Sequence, residues 1–330
     1  DRHSACMNDA IKKHVKLAAA CMDLKPIWKK SGPTEAFLRE TNYSRELLSA
    51  CYSDSLFPGP AKRRLLQAVG NVFPCRALLH LYGAVPSPLC PHCGEYETYG
   101  HIQSRCSALE VPRTAAHHSI WREVLRHIKQ NASKEWSFPR SANGSQHSEL
   151  SIQQILLKHK FFSSAQLLLQ KVHEFVGNNT RRLSQRYPGL ELGGTQDVSD
   201  LDEAQLLKVR HEVRFSQITL ENTVLRASTE EETQRTIKSF CDLRPDGHGL
   251  NSKEKVVVLL EFTRAMDRQD DWEAVKHQEK LDRYAPVLSF FNSLPGQEGW
   301  SMKQLNFTVG VRGSISTKHF KIPPSTAALE

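Results

Sequence analysis

The sequence predicts an α+β protein, mostly helical: N-terminal helices with a small zinc knuckle, then a compact α/β domain. Three observations predict it. Apolar residues recur at helical spacing through most of the first 190 residues. Three cysteines and a histidine crowd into "LCPHCGEYETYGHIQSRC", Leu89–Cys106. Beyond residue 200 the pattern changes to helix, strand, strand, helix, strand, the order of a compact α/β unit.

Residues 1–60 read as helical, with a Pro/Gly break at "LFPGP". "PAKRRLLQAVGNVFPCRALLHLYG" carries Pro60 near a first helical position and apolar residues at helical spacing; Pro74 divides it into two short helices. "AVPSPLC" is a turn-rich entry to the cysteines. "PRTAAHHSIWREVLRHIKQ" reads as an amphipathic helix, and "NASKEWSFPRSANGSQHS" as a polar loop. "LSIQQILLKHKFFSSAQLLLQKVHEFVGNNTRRLSQRY" reads as one long helix, "PGLELGGTQDVSD" as a linker. A helical stretch with interruptions is expected over Leu201–Thr236. "SFCDLRPDGHGL" and "KVVVLLEFT" have strand character and are joined by the polar turn "NSKEK". "DWEAVKHQEKLDRYAPVLSFFNSL" is a helix and "QLNFTVGVRG" a last strand. The expected organisation is 1–85 helical, 86–110 the knuckle, 111–200 a helical connector and 201–330 the α/β domain.

The chain has 330 residues, 39% hydrophobic and 24% charged, with a formal net charge of +8. That suits a soluble globular protein and is compatible with a nucleic-acid partner. No run approaches the ~18 apolar residues of a membrane span. The N-terminus carries charges inside any would-be signal sequence. It starts at Asp1 rather than Met, so a piece of a longer chain is expected. Of eight cysteines, Cys6, Cys21, Cys51, Cys75 and Cys241 are scattered, as buried thiols usually are. The clustering of the other three favours a metal in a reducing, intracellular compartment over a disulfide framework.

The cluster spacing is C-x2-C-x7-H-x4-C: Cys90, Cys93, His101 and Cys106. Two cysteines two residues apart can turn both sulfurs to one ion. A His and a Cys from a following short helix can complete a tetrahedron around Zn²⁺. Four protein ligands leave no open position, so the site is expected to be structural. His92 is a rival ligand, although it would crowd the Cys90–Cys93 turn. His117 and His118 read as surface or core-edge residues.

In the last domain Asp246 and Glu261 flank a turn and could face each other across neighbouring strands. Val257, Leu259, Glu261 and Thr263 share one strand face; Val256, Val258 and Leu260 share the other. Both faces are apolar, so the strand is expected to be buried and to end at Glu261. A buried carboxylate needs a partner. A divalent cation shared with Asp246, or a salt bridge to Arg264 or Arg268, would meet that need. Mg²⁺ on two carboxylates suits phosphodiester hydrolysis.

Residues 60–120 resemble the zinc-binding segment that follows the reverse transcriptase domain in non-LTR (LINE-type) retrotransposon polyproteins. The resemblance rests on "RRLL", "FPC", "SPLCPHC" and "ETYGHIQSRC". It implies a non-catalytic segment that helps bind element RNA or target DNA. "RPDG", "VVVLLEFTR" and "LNFTVGVRGS", over residues 200–315, look like the restriction-like, PD-(D/E)xK endonuclease at the C-terminus of some such polyproteins. This implies a restriction-endonuclease-like fold, Asp246 and Glu261 as Mg²⁺ ligands, and nicking of target DNA to prime reverse transcription. The family places Lys two positions after the Glu, where this chain has Thr263. Lys276 or Lys280 on the next helix could substitute; Arg264 is poorer, since guanidinium gives up no proton. Tyr284 reads as core or helix surface, Arg312 as a phosphate contact or plain loop, and Glu212 as a further candidate carboxylate. No Tyr/Phe-x-Asp-Asp pair accompanies these motifs; Asp270–Asp271 sit at an expected helix start. A polymerase upstream of Asp1 is therefore the expected partner, and the nucleus the expected location. The alternatives are a catalytically inactive nucleic-acid-binding module whose nuclease fold has decayed, and an unrelated zinc-stabilised scaffold.

Overall fold

A computed structural model of the chain describes residues 59–69, 73–138, 150–190, 194–265, 272–295 and 299–311. The helices expected over 1–58, the Asp270–Asp271 helix start, Arg268 and Arg312 lie outside these. The described chain is mixed α/β, with more residues in helices than in strands. None of its helices is long and apolar enough to cross a membrane.

Contacts divide the chain into two units. The first draws on residues 1–133, 262–278 and 307–330; the second comprises 134–261 and 279–306.

In the first unit, α1 (Gly59–Val69) and α2 (Arg76–Leu81) flank the break expected near Pro74. After the cysteine segment comes α3 (Glu110–Asn131). Its Trp121 is 1% exposed and packs near the rings of Phe262 and Phe307. Tyr99 donates its hydroxyl to the Val311 carbonyl at 3.2 Å and stacks near Phe73.

In the second unit, the short strand β1 (Trp136–Ser137) is followed by two helices, α4 (Ile152–Lys158) and α5 (Ala165–Arg186). The sequence reads as one helix there. The break has two physical causes: Lys160 takes a left-handed φ of 58°, and Ser164 caps α5 by accepting from the Leu167 amide at 3.2 Å. Both helices, placed in a connector by the sequence, contribute to the core of this unit. Ile155, Leu156, Val172 and Val176 pack there with Phe240, Val257, Leu259, Tyr284, Phe290 and Phe291. Burying each such apolar side chain contributes about 1.5–3 kcal/mol.

The expected helix over Leu201–Thr236 is also corrected. β2 (Thr195–Asp197) and α6 (Glu203–Val213) precede a hairpin, β3 (Ile218–Glu221) and β4 (Val224–Ala227); then comes α7 (Glu230–Asp242). The hairpin turns at Asn222, whose φ of 58° is a left-handed conformation that Asn tolerates. The three strands pair antiparallel in the order β2-β4-β3. The apolar sides Ile218 and Leu225 pack with Val209, Val213 and Leu183. Phe240 and Cys241, read as strand, belong to α7.

β5 (Gly247–Asn251) and β6 (Val256–Ala265) pair antiparallel, with Gly247 opposite Leu260. β6 continues four residues beyond Glu261, so the glutamate sits within the strand rather than at its end. α8 (Trp272–Ser293) then leads to β7 (Ser301–Gly310). The Ser301 amide donates to Lys255 and the Val311 amide to Ala265, so β6 and β7 run parallel, joined through α8. The sheet order is β1-β5-β6-β7.

Candidate functional site

The cysteine segment folds around its backbone before any metal is considered. Leu89 bridges Tyr96, the Cys90 amide donates to Glu95 at 2.7 Å, and the Gly94 amide donates to Cys90 at 2.9 Å. Gly94 has a φ of 77°, which an L side chain rarely adopts. Cys90 and Cys93 thereby lie on one tight turn. A π-helical turn over His101–Arg105 carries His101, and Cys106 follows its last residue; its entry is fixed by the Thr98 hydroxyl accepting from the His101 amide.

The four donor atoms lie within 4.8 Å of one another. Cys90 Sγ is 3.8 Å from Cys106 Sγ, and Cys106 Sγ 3.9 Å from Cys93 Sγ; Cys93 Sγ is 3.2 Å from His101 Nε2. A tetrahedral ion with sulfur bonds of roughly 2.3 Å holds its sulfurs about 3.8 Å apart. The donor set fits a metal ion such as Zn²⁺. Burial raises the Cys90 thiol pKa, but hydrogen bonds from the His92 amide and the His101 side chain outweigh it and bring it down to about 7. The Cys90 thiol therefore gives up its proton readily, as a metal ligand must, whereas the Cys93 thiol is shifted upward, the lowering by the Glu95 amide being outweighed by burial and by the Cys90 and Cys106 thiols. His92 is exposed and does not join the set. All four residues expected from the spacing are brought together.

The second candidate site lies in the other unit. The register of β5 on β6 continues to Asp246 opposite Glu261, and the Asp246 amide donates to Glu261 Oε1 at 3.3 Å. Glu261 is 1% exposed, and its Oε2 accepts from the Lys280 ammonium of α8. Lys276 lies one helical turn earlier on α8. Burial raises the Glu261 pKa and the Asp246 charge raises it further, while the Lys280 ammonium opposes both. Glu261 is thus a deeply buried carboxylate held between the Asp246 backbone amide and the Lys280 ammonium.

Tyr284, one turn beyond Lys280, also belongs here. It is fully buried and donates its hydroxyl to the Arg244 carbonyl at 2.7 Å. Burial and the adjoining Glu261 carboxylate push its pKa far up, so it remains a neutral phenol. Its i, i+4 spacing from Lys280 was the available signal, but Tyr at a helical core position is ordinary. The remaining candidates go elsewhere. Glu212 accepts from Arg186 at 2.7 Å and from the Tyr187 hydroxyl at 3.2 Å. Arg264 donates to Gln103 rather than pairing with Glu261. Thr263 lies two residues past Glu261 on the same strand.

Comparison with protein families, with curated proteins and with solved structures finds no match to this chain.

Proposed function

We propose that this chain is the C-terminal part of a non-LTR retrotransposon polyprotein. Its restriction-like, PD-(D/E)xK-type domain nicks target DNA, and its zinc knuckle contacts nucleic acid. The observation that supports this best is the ammonium of Lys280 on Glu261, directly opposite Asp246. The chemistry of such a site needs two carboxylates and a mobile cation beside them. Thr263 leaves the usual position of that cation empty of charge, and Lys280 supplies it from the next helix.

Asp246 and Glu261 would hold Mg²⁺, which polarises a phosphate oxygen and lowers the pKa of a bound water. Lys280 opposes the burial that raises the Glu261 pKa and brings a positive charge to the phosphate side of the pair. Tyr284 fixes the α8 turn that carries Lys280. The knuckle residues Cys90, Cys93, His101 and Cys106 would hold structural Zn²⁺, which contributes on the order of 10 kcal/mol in small modules. Target DNA, element RNA and the polymerase domain of the same polyprotein are the partners of this reading, and the nucleus its location.

The test is nicking of supercoiled plasmid by the full chain with MgCl2. The parent should convert it to open circles, and Asp246→Ala, Glu261→Ala and Lys280→Ala should each lose at least 100-fold in rate. Equal cutting by parent and variants overturns the assigned site. A parent that binds DNA but never cuts it returns the inactive-module reading.

A further inference from the structure

The β2-β4-β3 sheet and the helices around it leave a cleft of about 170 Å³. Its walls come from α5, the start of β3, the end of β4 and the start of α7, all within the second unit. Hydrogen bonds hold these walls together. The Thr180 hydroxyl of α5 accepts from the Gln217 amide at 2.7 Å, and the Ser228 amide donates to the Gln217 carbonyl at 2.8 Å. The Ser228 hydroxyl is 2.7 Å from that of Thr219. The cleft is therefore formed before any ligand enters, as small-molecule sites usually are.

Three polar side chains that line it have no hydrogen-bond partner among the described residues: the Thr233 and Ser184 hydroxyls and the Gln217 carboxamide. Thr233, on α7, is 2% exposed. A helical threonine commonly returns its hydroxyl to the carbonyl four residues earlier. Thr180 does so to Val176 at 2.9 Å, and Thr236 to Glu232 at 3.0 Å. Thr233 does not, although the Thr229 carbonyl accepts its amide. A buried hydroxyl left without a partner costs free energy that a hydrogen-bonding ligand would offset.

The lining selects that ligand. Leu190 and Ile218 are buried and give the cleft an apolar side. No lysine or arginine lines it, and its one acid, Glu230, is exposed and accepts from Gln234 at 2.8 Å. A phosphate or carboxylate would find no counter-charge there. A purely apolar ring would desolvate the two hydroxyls and the carboxamide without pairing them. The volume is close to the roughly 150 Å³ that holds benzene and below the ~300 Å³ of drug-sized sites. One flat, uncharged ring with donors and acceptors on its edge meets all of these conditions. A carboxamide presents a donor and an acceptor side by side, the complement of a ring lactam.

We propose that this cleft binds a single six-membered nitrogen heterocycle bearing oxo or amino groups, the class of a pyrimidine base, with Thr233, Ser184 and Gln217 bonding its edge. The site shares no residue with the Asp246–Glu261–Lys280 centre and stands whether or not that centre cuts DNA. The base comes from a free nucleoside or from an unpaired position in a strand, and the test separates the two.

Saturation-transfer NMR on the full chain uses cytidine and uridine as probes, with ribose and adenosine beside them. The pyrimidine nucleosides should take up saturation at their ring protons. Ribose should take up none, and the two-ring adenosine should bind more weakly. Thr233→Val, which keeps the side-chain shape, and Gln217→Leu should each weaken binding about 5- to 10-fold, the effect of one lost hydrogen bond. Thr233→Val should leave the Tm unchanged, because its hydroxyl makes no bond within the protein. Ser184→Ala, at a half-buried helix position, repeats the reading without a change in the core. Lys238→Gln, on the exposed side of α7, is the control and should change nothing. Oligothymidylate and the same strand with abasic sugars distinguish the sources. If the base belongs to a strand, binding falls both in the abasic strand and in Thr233→Val. If it is a free nucleoside, Thr233→Val weakens nucleoside binding and leaves strand binding as it was. A parent that binds neither nucleosides nor the strand overturns the site, as does binding that is the same in parent and variants. Adenosine binding as tightly as cytidine overturns the one-ring assignment, and a lower Tm in Thr233→Val overturns the role of its hydroxyl.

Discussion

Lys280 and Glu261 form an ion pair in which the carboxylate is 1% exposed and the lysine side chain 21%. Such a pair contributes little net stability when intact, yet removing one partner leaves an uncompensated charge. Lys280→Met should therefore destabilise the fold by about 3 kcal/mol near neutral pH. The loss should shrink as the pH falls, because burial raises the Glu261 pKa and the carboxyl takes up a proton earlier than an ordinary glutamate. Thermal unfolding from pH 5 to pH 9 checks this; a loss that is flat across that range means the lysine acts by packing alone.

The same pair makes stability depend on pH at Glu261. Burial raises its folded-state pKa, with Asp246 adding to the rise. Its contribution is thus most favourable below the unfolded value of about 4.3 and is lost as pH rises through the folded value. Glu261→Gln removes that cost but leaves the Lys280 ammonium without a charged partner. It should abolish the nicking proposed above, flatten the pH dependence of stability, and lower the Tm at pH 8 by less than Lys280→Met does. A larger fall than in Lys280→Met would show that the carboxylate holds the fold together.

The Cys90–Cys93–His101–Cys106 cluster and the meeting of Asp246 with Glu261 were both legible in the sequence because each rests on local signals. Spacing within eighteen residues places the four metal donors on one turn and one short helix. The turn "NSKEK" sets the β5–β6 register, and the register brings Asp246 to Glu261. Lys280 against Lys276 was not decidable from sequence, since it depends on how α8 is rotated about its axis. The β3–β4 hairpin was missed because "ITLENTVLRA" lies between two helical runs and its turn carries Asn without Gly. The α4–α5 break was missed because Lys160 adopts a left-handed conformation that its residue type disfavours. In both cases tertiary packing overrides a weak local preference.

The zinc reading of the cysteine cluster predicts a stoichiometry. One zinc per chain should be found by mass spectrometry under non-denaturing conditions. Cys106→Ser, which removes a fully buried ligand, should abolish retention of zinc through gel filtration. His92→Ala should leave it intact, because His92 stands outside the donor set. Loss of zinc in the His92 variant would reassign the fourth ligand.

Acid sensitivity should have a separate origin at Glu232. Its carboxylate completes the capping box of Thr229 at the start of α7 and accepts from Arg226 at 2.7 and 2.9 Å. These bonds, Arg226 first and then the Thr229 amide, lower its pKa to about 2. A depressed carboxyl pKa contributes stability that is present above the unfolded value and lost as pH falls through the folded one. That window runs from about 4.3 down to about 2. Glu232→Gln should lower the Tm at pH 7 and remove part of the fall in stability between those two values. It keeps the reach of the side chain and much of the cap, so the difference from the parent isolates the charge. Glu231→Gln, which pairs with Arg235 on the exposed face of the same helix, should leave the acid limb as it is. If both variants behave alike, α7 responds to net charge and not to the Arg226–Glu232 contact.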